Sequence, residues 1–417
     1  MKRKFVLGFL FFISAFLAEG RLIRIGATLD APDASHAHEL AEAGDTLWFG
    51  PGRHTVQDQL IYKNRLTITG DPEAILDGGG KSIFIIQGQH VHVHHLTLTN
   101  VATDYVNDQA AIRGHKANHI LLEHLNIHDV FFGIMMERSN HGIVRHCNVL
   151  GREDREAYDE AALGNAVHMW RCDSMLIEHN TLTHCRDGVY LEFVEHSMVR
   201  KNVSEHHGRY GLHFMFSHYD AYVDNTFRMN IAGVAVMYST EVRMENNHFK
   251  DQWGGASFGL LLKDITDSWI IDNRLENNTM GIHCDNVSRV EFRGNLLHQN
   301  GSAMRIMGNC MDNTIHQNDF TMNSFDVVTE ASRTYNTFSQ NYWSQYSGFD
   351  FDHDGFGDVP YNPTSLYSYV ISKSPLAIIL VRSLFVNLLD LTEKISPNLT
   401  PSNLTDEQPS MHPNTHD

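Results

Sequence analysis

Histidine, methionine and acidic residues recur at matched spacings between about residues 168 and 237, and their side chains are candidates for binding a metal ion. One series has intervals of 22 and 23 residues and consists of His168, Tyr190 and His213. A second has intervals of 23 and 22 residues and consists of Glu192, Met215 and Met237. Cu(I) favours imidazole and thioether ligands. The two series therefore predict a copper site, provided that the fold brings them together.

A second candidate site is the acidic segment 350–358, in which carboxylates at alternate positions precede a glycine. The predicted ligands are Asp350, Asp352, Asp354 and Asp358. This spacing resembles the first nine positions of an EF-hand loop, which binds Ca²⁺ through hard oxygen ligands. The twelfth position holds Tyr361 instead of glutamate, so the bidentate ligand must come from elsewhere. The segment predicts a structural Ca²⁺ site, and the alternative is a solvated acidic turn.

The composition of the 417-residue chain excludes several classes of protein. With 42% hydrophobic and 20% charged residues, the chain has enough apolar sequence to form a large core. Asp and Glu outnumber Lys and Arg by 50 to 32, and the resulting net charge of −18 argues against nucleic-acid binding. The 5 cysteines are scattered and form no C-x-x-C pair, which argues against a cysteine-based zinc site.

The first twenty residues have the pattern of a secretory signal peptide. Basic residues 2–4 precede an apolar run from Phe5 to Leu17, and small residues follow at 18 and 20. The apolar run is short for a membrane span. We therefore expect residues 1–20 to be removed and the mature protein to work outside the cytoplasm.

A repeat of 22 to 23 residues organises the middle of the chain. The phrase "polar, any residue, apolar" recurs at Asn126, Asn148, Asn180, Asn202, Asn225, Asn247, Asn273, Asn295, Asn318 and Asn341. Glycines precede five of these asparagines by 14 residues each, at Gly188, Gly211, Gly233, Gly259 and Gly281. Segments with apolar residues at alternate positions follow each glycine and precede each asparagine, as expected of short strands. Each repeat has no room for a helix of ordinary length.

Such units stack best as coils of an all-β fold, the right-handed parallel β-helix of the pectin-lyase type, with about a dozen coils. A leucine-rich horseshoe is the rival, but its leucine pattern is absent. We expect an N-terminal cap at 21–60 with a short helix from His36 to Glu42, and coils over 61–345 with an inserted loop from Gly151 to Leu163. An acidic cap at 346–363 follows. An amphipathic helical segment at 364–395 covers the last coil or docks on a membrane partner, and a disordered tail spans 396–417.

Stacked coils make residues that are 22 or 23 positions apart vertical neighbours on the outer face. The central copper ligands are then His213, Met215 and Met237, with His168 and Glu192 at the margin of the site. Met135 and Met136, from an earlier coil, extend the row. In the alternative interpretation, outward methionines and histidines only pack on their neighbours. The remaining histidines, including His90, His92, His94 and His95, are interpreted as solvated corners or weak adventitious ligands.

Several segments resemble a known family. The cap phrase at 43–46 (AGDT) and the closing phrase at 341–344 (NYWS) are similar to carbohydrate-binding and sugar-hydrolase β-helix repeats. More specifically, the chain resembles the NosD family at residues 188–193 (GVYLEF), 210–217 (YGLHFMFS) and 233–239 (GVAVMYS). The likeness covers about residues 25 to 395. It implies a periplasmic maturation factor for the copper sites of nitrous oxide reductase. The implied partners are an ABC-type transporter permease with its ATPase, a copper-chaperone lipoprotein and the reductase.

Two other functions remain open from the residues alone. A polysaccharide hydrolase, lyase or epimerase would need acid and base groups on adjacent coils. The candidates are Lys263, Asp264 and Asp285, with a second group at Asp187 and Glu192. Sugar clefts also tend to be lined by exposed aromatic side chains, whereas the outward rows identified here carry His and Met. The other alternative is a scaffold that binds proteins without a metal.

Overall fold

The computed structural model describes residues 20–26, 33–152, 163–329, 335–373, 380, 383–395 and 404–414. The chain forms a parallel β-solenoid of about 13 turns, which confirms the predicted fold class. Each regular turn contributes three short strands, and every strand pairs in parallel with the equivalent strand of the next turn. The strands therefore form three stacks along the solenoid, which we call sheets I, II and III.

Sheet I comprises the strands Gln59–Ile61, Phe84–Ile86, Ala110–His115, Phe132–Glu137, Val167–Trp170, Val189–Glu192, Tyr210–Met215, Ala232–Thr240, Phe258–Thr266, Met280–Ser288, Ser302–Ile306 and Phe325–Thr329. Sheet II comprises Leu22–Ile25, Thr46–Phe49, Thr67–Gly70, His92–His94, Leu121–Glu123, Ile143–Arg145, Leu176–Glu178, Met198–Arg200, Ala221–Val223, Arg243–Glu245, Trp269–Ile271, Glu291–Arg293, Met311–His316 and Tyr335–Ser339. Sheet III comprises Gly52–Thr55, Ala74–Asp77, Thr97–Thr99, Asn126–His128, Asn148–Leu150, Thr181–Thr183, Val203–Glu205, Thr226–Arg228, His248–Lys250, Arg274–Glu276, Leu296–His298, Asp319–Thr321 and Tyr342–Trp343.

The landmark glycines lie on the inner side of sheet I, where neighbouring turns approach closely. A Cβ atom on Gly211 would lie 2.7 Å from the carbonyl oxygen of Gly233, and one on Gly233 would lie 2.5 Å from that of Gly259. Atoms at such distances overlap, so only glycine fits. The glycine repeat is therefore a packing requirement, and it fixes the register of sheet I beside the candidate metal ligands.

Most of the landmark asparagines form a buried hydrogen-bonded ladder at the corner before sheet III. In a typical step, the Asn225 side-chain oxygen accepts from the backbone N–H of Asn202 at 3.0 Å, and its amide donates to the Val199 carbonyl at 2.9 Å. The ladder runs from Asn180 to Asn341 and satisfies backbone groups that would otherwise be buried without partners.

The first two asparagines of the predicted repeat were aligned one residue out of register. Asn148 pairs with Thr181 and is exposed on sheet III, while Cys147 occupies the ladder position and donates its N–H to the Asn180 side chain. Asn126 lies directly below Asn148 and is exposed as well. Asn148 satisfies the phrase "polar, any residue, apolar" because Leu150 is apolar, so the phrase by itself does not fix the register.

Helices occur at the two ends of the solenoid. The N-terminal helix spans Ala34–Leu40, two residues earlier than predicted, because the Asp33 side chain caps it by accepting the N–H of His36. Near the C-terminus, helices span Leu366–Lys373 and Leu384–Ile395. The first of them packs against the last strand of sheet I, where Phe325 and Tyr367 have ring centroids 5.8 Å apart. Within the described ranges, no helix has the length and apolar character needed to cross a membrane.

The prediction of a disordered tail from residue 396 is wrong for 404–414. This segment returns to the solenoid and caps the asparagine ladder. The buried carboxylate of Asp406 accepts from the Asn341 side chain at 3.0 Å and from the Trp343 indole at 3.1 Å. Asp406 therefore takes the place of the next asparagine and accepts the hydrogen bond of the last ladder residue, Asn341. The Pro- and Thr-rich composition of the tail does not predict this role. Parts of several predicted features fall outside the described residues, including signal-peptide positions 1–19, loop positions 153–162, helical-segment positions 374–379 and 381–382, and tail positions 396–403 and 415–417.

Candidate metal centre

The strand register places the predicted copper ligands in two outward rows on sheet I. The first row contains Met135, His168, Tyr190, His213 and Ala235, each paired with the next. The second row contains Trp170, Glu192, Met215, Met237, Lys263 and Asp285. Neighbouring strands of a sheet lie about 4.7–4.9 Å apart, a distance that long side chains bridge.

Glu192, Met215 and Met237 are consecutive members of the second row, and all three are partly exposed. His213 lies two residues before Met215 on the same strand and faces the same side. The Tyr190 hydroxyl lies 3.6 Å from the Met215 sulfur, to which it donates a weak hydrogen bond. The arrangement offers two thioether sulfurs, one imidazole and one carboxylate on three adjacent turns.

His213 is nearly buried, with 5% of its surface exposed. Its ring stacks on Tyr190 with centroids 4.6 Å apart and also contacts Tyr210 at 4.9 Å. Neither ring nitrogen has a hydrogen-bond partner among the described residues. Burial, together with the charges of Arg209 and Arg186, lowers the pKa of His213 to about 3. The imidazole is therefore neutral at physiological pH, as a metal ligand must be.

A buried carboxylate lies beside His213. Oδ2 of Asp187 is 3.9 Å from Nδ1 of His213 and 3.6 Å from a guanidinium nitrogen of Arg186, and within the described part of the chain neither contact is short enough for a hydrogen bond. Burial raises the pKa of Asp187, and the nearby Arg186 and Arg209 oppose that effect. A carboxylate in this position can accept a hydrogen bond from Nδ1–H of the imidazole and leave Nε2 available to a ligand.

The six predicted copper ligands do not form one group. The Tyr190 ring stands between His168 and His213, with centroids 4.8 Å and 4.6 Å from the two imidazoles. His168 is partly exposed, but both of its ring nitrogens are buried without a hydrogen-bond partner among the described residues, and desolvation lowers its pKa to about 4. It belongs with Met135, which lies one turn earlier. Met136 points into the core and is excluded from the row. The structure thus separates Met135 and His168 from the set Glu192, His213, Met215 and Met237.

The acidic segment brings three of its four predicted Ca²⁺ ligands together. Carboxylate oxygens of Asp350, Asp352 and Asp358 lie within 4.8 Å of one another. Asp354 is not part of this group. Its carboxylate accepts the N–H of Phe356 at 2.8 Å, while its own N–H donates to Asp350. The loop is therefore folded around the other three side chains.

The residues considered for acid and base chemistry are dispersed. Lys263 and Asp285 are register neighbours in the second row, and Asp264 lies at the following corner, where it accepts from the Asn286 amide. Asp187 is fully buried, whereas Glu192 is partly exposed on the outer face.

Two features of this face were not predicted from the sequence. The first is a column of exposed aromatic rings at Phe193, Phe216 and Tyr238, one residue beyond the second row. Their centroids lie 5.2 Å and 4.8 Å apart, and the ring planes are nearly parallel. The outward rows were contrasted with sugar clefts because they carry His and Met, and this column shows that exposed aromatic side chains lie directly beside them. The intervals of 23 and 22 residues would have revealed the column if the corner positions had been included.

The second missed feature is a group of possible metal ligands at the next corner, formed by Asp173, Glu195 and His196. Nδ1 of His196 lies 2.9 Å from Oδ2 of Asp173, and the ring stacks on Tyr219 with centroids 5.3 Å apart. The 22-residue interval between Asp173 and Glu195 was the available signal. All three side chains are partly or fully exposed.

Comparison with known proteins confirms the predicted resemblance. The family model described as "Periplasmic copper-binding protein (NosD)" matches residues 152–348. The chain is 27% identical over 394 residues to the "Probable ABC transporter binding protein NosD" of Pseudomonas aeruginosa, covering 89% of this chain and 90% of that protein. A protein of the same name from Stutzerimonas stutzeri is 24% identical over 414 residues, covering 94% and 92%. The matched region includes His168, Glu192, His213, Met215 and Met237, but neither Met135 nor the acidic loop.

Solved structures with this fold include proteins with different activities. A family 28 exopolygalacturonase from Yersinia enterocolitica has a TM-score of 0.55 at 10% identity, covering 78% of each chain. PfbA, a surface adhesin of Streptococcus pneumoniae, has a TM-score of 0.51 at 9% identity, covering 79% of this chain and 92% of that one. At such identities the likeness shows the fold alone.

Proposed function

We propose that this chain, which carries a NosD domain over residues 152–348, is a periplasmic protein that binds copper and hands it over during maturation of nitrous oxide reductase. In this role it serves as the binding protein of an ABC-type transporter, formed by a membrane permease and its ATPase. A copper-chaperone lipoprotein supplies the ion, and the reductase receives it. Residues 1–20 act as the cleaved export signal.

The observation that carries the proposal is the position of His213 beside two thioethers on the same face of sheet I. A buried polar group without a partner costs about 1–3 kcal/mol, so an imidazole with two such nitrogens favours a ligand that uses one of them. Met215 and Met237 lie on neighbouring turns in the adjacent row. The donor set combines one neutral imidazole with two thioethers, which suits Cu(I).

Each residue has a distinct part in holding the ion. His213 supplies nitrogen and needs no deprotonation, because its pKa is about 3. Met215 and Met237 supply sulfur, which binds soft ions in preference to Ca²⁺ or Mg²⁺. Glu192 lies next to Met215 and offsets the positive charge of a bound ion. Met135 and His168, on the far side of the Tyr190 ring, form a second pair through which copper reaches or leaves the main set.

Met215 and Met237, which we call the methionine row, are partly exposed, and this exposure favours exchange of the ion. Met215 and Met237 are accessible to solvent, whereas His213 is nearly buried beneath the tyrosine rings. A partner protein can therefore replace the sulfur ligands one at a time while the imidazole still holds the ion. Thioether bonds to copper are weak individually, which keeps this exchange reversible.

We also propose that the loop formed by Asp350, Asp352 and Asp358 binds a structural Ca²⁺ ion. Three carboxylates within 4.8 Å of one another repel each other unless a cation neutralises them. The loop precedes the tail segment that caps the solenoid, and the N–H of Gly357 donates to the Pro409 carbonyl at 2.8 Å. A bound ion would stabilise this end of the molecule.

The functional test compares two double variants in cells that lack the native gene. Met215→Leu/Met237→Leu removes both sulfurs at nearly constant volume, and Met198→Leu/Met280→Leu makes the same change at partly exposed methionines elsewhere. We expect the first variant to leave nitrous oxide reductase deficient in copper, as measured by metal analysis of the purified enzyme. The second variant should restore normal copper content. A reductase with full copper content in cells that carry the first variant would reject the proposed role of Met215 and Met237.

A specific observation supports one alternative. The aromatic column of Phe193, Phe216 and Tyr238 is 36–42% exposed and resembles the ring platforms on which sugars stack, and the exopolygalacturonase shares the fold. Release of reducing sugar or unsaturated uronide from a panel of polysaccharides would favour a carbohydrate-active enzyme. The scaffold alternative predicts that the purified chain binds the transporter or the reductase equally well with and without copper.

A further inference from the structure

Four exposed histidines form a continuous stack along the corner between sheets II and III. They are His95, His124, His146 and His179, which we call the histidine column. Consecutive ring centroids are 4.8, 5.0 and 5.0 Å apart, and the ring planes differ by 19°, 5° and 13°. The column lies on a different face from the methionine row, so the proposed copper function does not use it.

The opposite edge of sheet II carries a shorter stack of the same kind. His90, His119 and His141 are exposed, with centroids 4.5 and 5.0 Å apart and ring planes that differ by 2° and 12°. Between the two edges, the strand of one turn adds His92 and His94. Nine imidazoles therefore lie on the sheet II side of the N-terminal half of the solenoid.

The backbone does not explain the choice of histidine. All four residues of the column have left-handed conformations, with φ between 51° and 55°. The same position in later turns has the same conformation but holds Lys201, Asp224, Asn246, Asp272, Gly294 and Gln317. Left-handed corners accept Asn, Asp and Gly at least as well as His. The side chains are exposed, so core packing does not demand histidine either.

Adjacent imidazoles on neighbouring turns are a suitable arrangement for chelating a metal ion. On a helix, two histidines at positions i and i+4 lie a similar distance apart and together bind Zn²⁺. Bonds from a metal to histidine nitrogen are about 2.0–2.1 Å, so two nitrogens on one ion lie at most about 4 Å apart. Rings whose centroids are 5.0 Å apart meet that limit when they tilt towards each other, and exposed side chains have this freedom.

We propose that the histidine column binds divalent ions of the late first-row transition metals, such as Ni²⁺, Cu²⁺ or Zn²⁺, between neighbouring imidazoles. Three such pairs occur in succession, and each ion can pass to the next pair by exchanging one imidazole at a time. The net charge of −18 raises the concentration of cations near the surface. The column is thus a collecting surface for borderline metal ions, and it is chemically distinct from the thioether row for Cu(I).

The test uses Ni²⁺ as the probe, because this ion prefers imidazole to thioether and therefore does not report on the methionine row. The full chain without an affinity tag is titrated with Ni²⁺ in a calorimeter. His124→Asn/His146→Asn interrupts every pair of the column, and asparagine tolerates the left-handed corner. We expect the variant to bind fewer Ni²⁺ ions per chain, because the sites of the column are lost while the shorter stack of His90, His119 and His141 remains. Its thermal unfolding temperature and its Cu(I) affinity should be unchanged.

The matched control is His128→Asn/His298→Asn, which removes two histidines whose rings each bond to a threonine hydroxyl, at 3.1 and 2.8 Å. This control should bind Ni²⁺ like the unchanged protein. A single variant, His146→Asn, leaves only the His95 and His124 pair and should lose part of the capacity if the double variant fails to fold. Equal Ni²⁺ binding by the unchanged protein and the column variants would overturn the proposal, and so would an equal loss in the control.

Discussion

Oδ2 of Asp187 lies 3.9 Å from Nδ1 of His213, and neither atom has a hydrogen-bond partner among the residues that the structure describes. Both side chains are buried, and Asp187 lies two residues before the strand Val189–Glu192, which pairs with the strand that carries His213. A shift of about 1 Å would join the two atoms in a hydrogen bond. The pair is therefore arranged to orient the imidazole, with Nε2 left for a metal ion.

Asp187→Asn should weaken Cu(I) binding about 10–100-fold, because a metal-bound histidine loses the carboxylate that orients it. The measurement is competition with a chromogenic Cu(I) chelator under anaerobic conditions. The control is Asp173→Asn, which changes a carboxylate in contact with His196 on another corner and should leave Cu(I) affinity unchanged. NMR of the metal-free protein should also show the His213 proton on Nδ1 in the unchanged chain and on Nε2 in Asp187→Ala. Identical affinities and tautomers in all of these proteins would refute the role of Asp187.

Asn225→Ala should destabilise the solenoid by about 3–5 kcal/mol. The substitution removes the acceptor for the Asn202 backbone N–H and the donor to the Val199 carbonyl, and each buried group left unpaired costs about 1–3 kcal/mol. The comparison is Asn148→Ala on the exposed surface of sheet III, which should change stability by less than about 0.5 kcal/mol. Urea unfolding monitored by circular dichroism gives both values. Similar midpoints for the two variants would mean that the ladder contributes little.

Asp326 should make stability depend on pH. Its side chain is buried on the last strand of sheet I, and burial raises its pKa to about 7. Because this folded pKa exceeds the unfolded value of about 3.9, the folded state binds the proton more tightly. The stabilisation is therefore complete below about pH 4 and is lost as the pH rises to about 7. A shift of about three pH units corresponds to about 4 kcal/mol.

Asp326→Asn should consequently be more stable than the unchanged protein at pH 8, by about 3–4 kcal/mol, with a much smaller difference near pH 4. Urea unfolding at the two pH values measures the effect. Asp224→Asn, at an exposed corner, serves as the control and should show no such change. A constant difference between Asp326→Asn and the unchanged protein across this range would contradict the assignment.

Calcium should raise the thermal unfolding temperature of the protein, and Asp358→Asn should reduce that increase because it removes one of three clustered carboxylates. Asp354→Asn should retain most of it, since this side chain lies outside the cluster. Differential scanning calorimetry with and without Ca²⁺ distinguishes the two. Loss of the increase in both variants would favour the four-ligand set predicted from the EF-hand spacing, and an unchanged increase in Asp358→Asn would contradict both sets.

The repeat could be predicted from the sequence because its determinants are local and strict. The landmark glycines are required where a Cβ would overlap the next carbonyl, and the ladder asparagines bond to the same atoms in every turn. Once the period was known, the two outward rows followed from alternation along the strands. The register error at Asn148 arose because an exposed asparagine one residue from the ladder satisfies the same short phrase.

Other features depend on side-chain packing that the period does not specify. The sequence places Tyr190 between His168 and His213 in the first row. Only the stacked geometry of the three rings shows that the tyrosine keeps the two imidazoles apart. The capping role of Asp406 depends on a chain reversal over more than sixty residues, which composition cannot indicate. Nor could the spacing show that Asp354 turns away from the other three carboxylates, because one backbone hydrogen bond decides its direction.

The most direct test of the copper site is anomalous diffraction at the copper edge from crystals of the protein loaded with one equivalent of Cu(I). We predict one strong peak bounded by the His213 imidazole and the Met215 and Met237 sulfurs, and no such peak in crystals of Met215→Leu/Met237→Leu. Copper density located elsewhere in the unchanged protein, or retained at this place without the two sulfurs, would contradict the assignment.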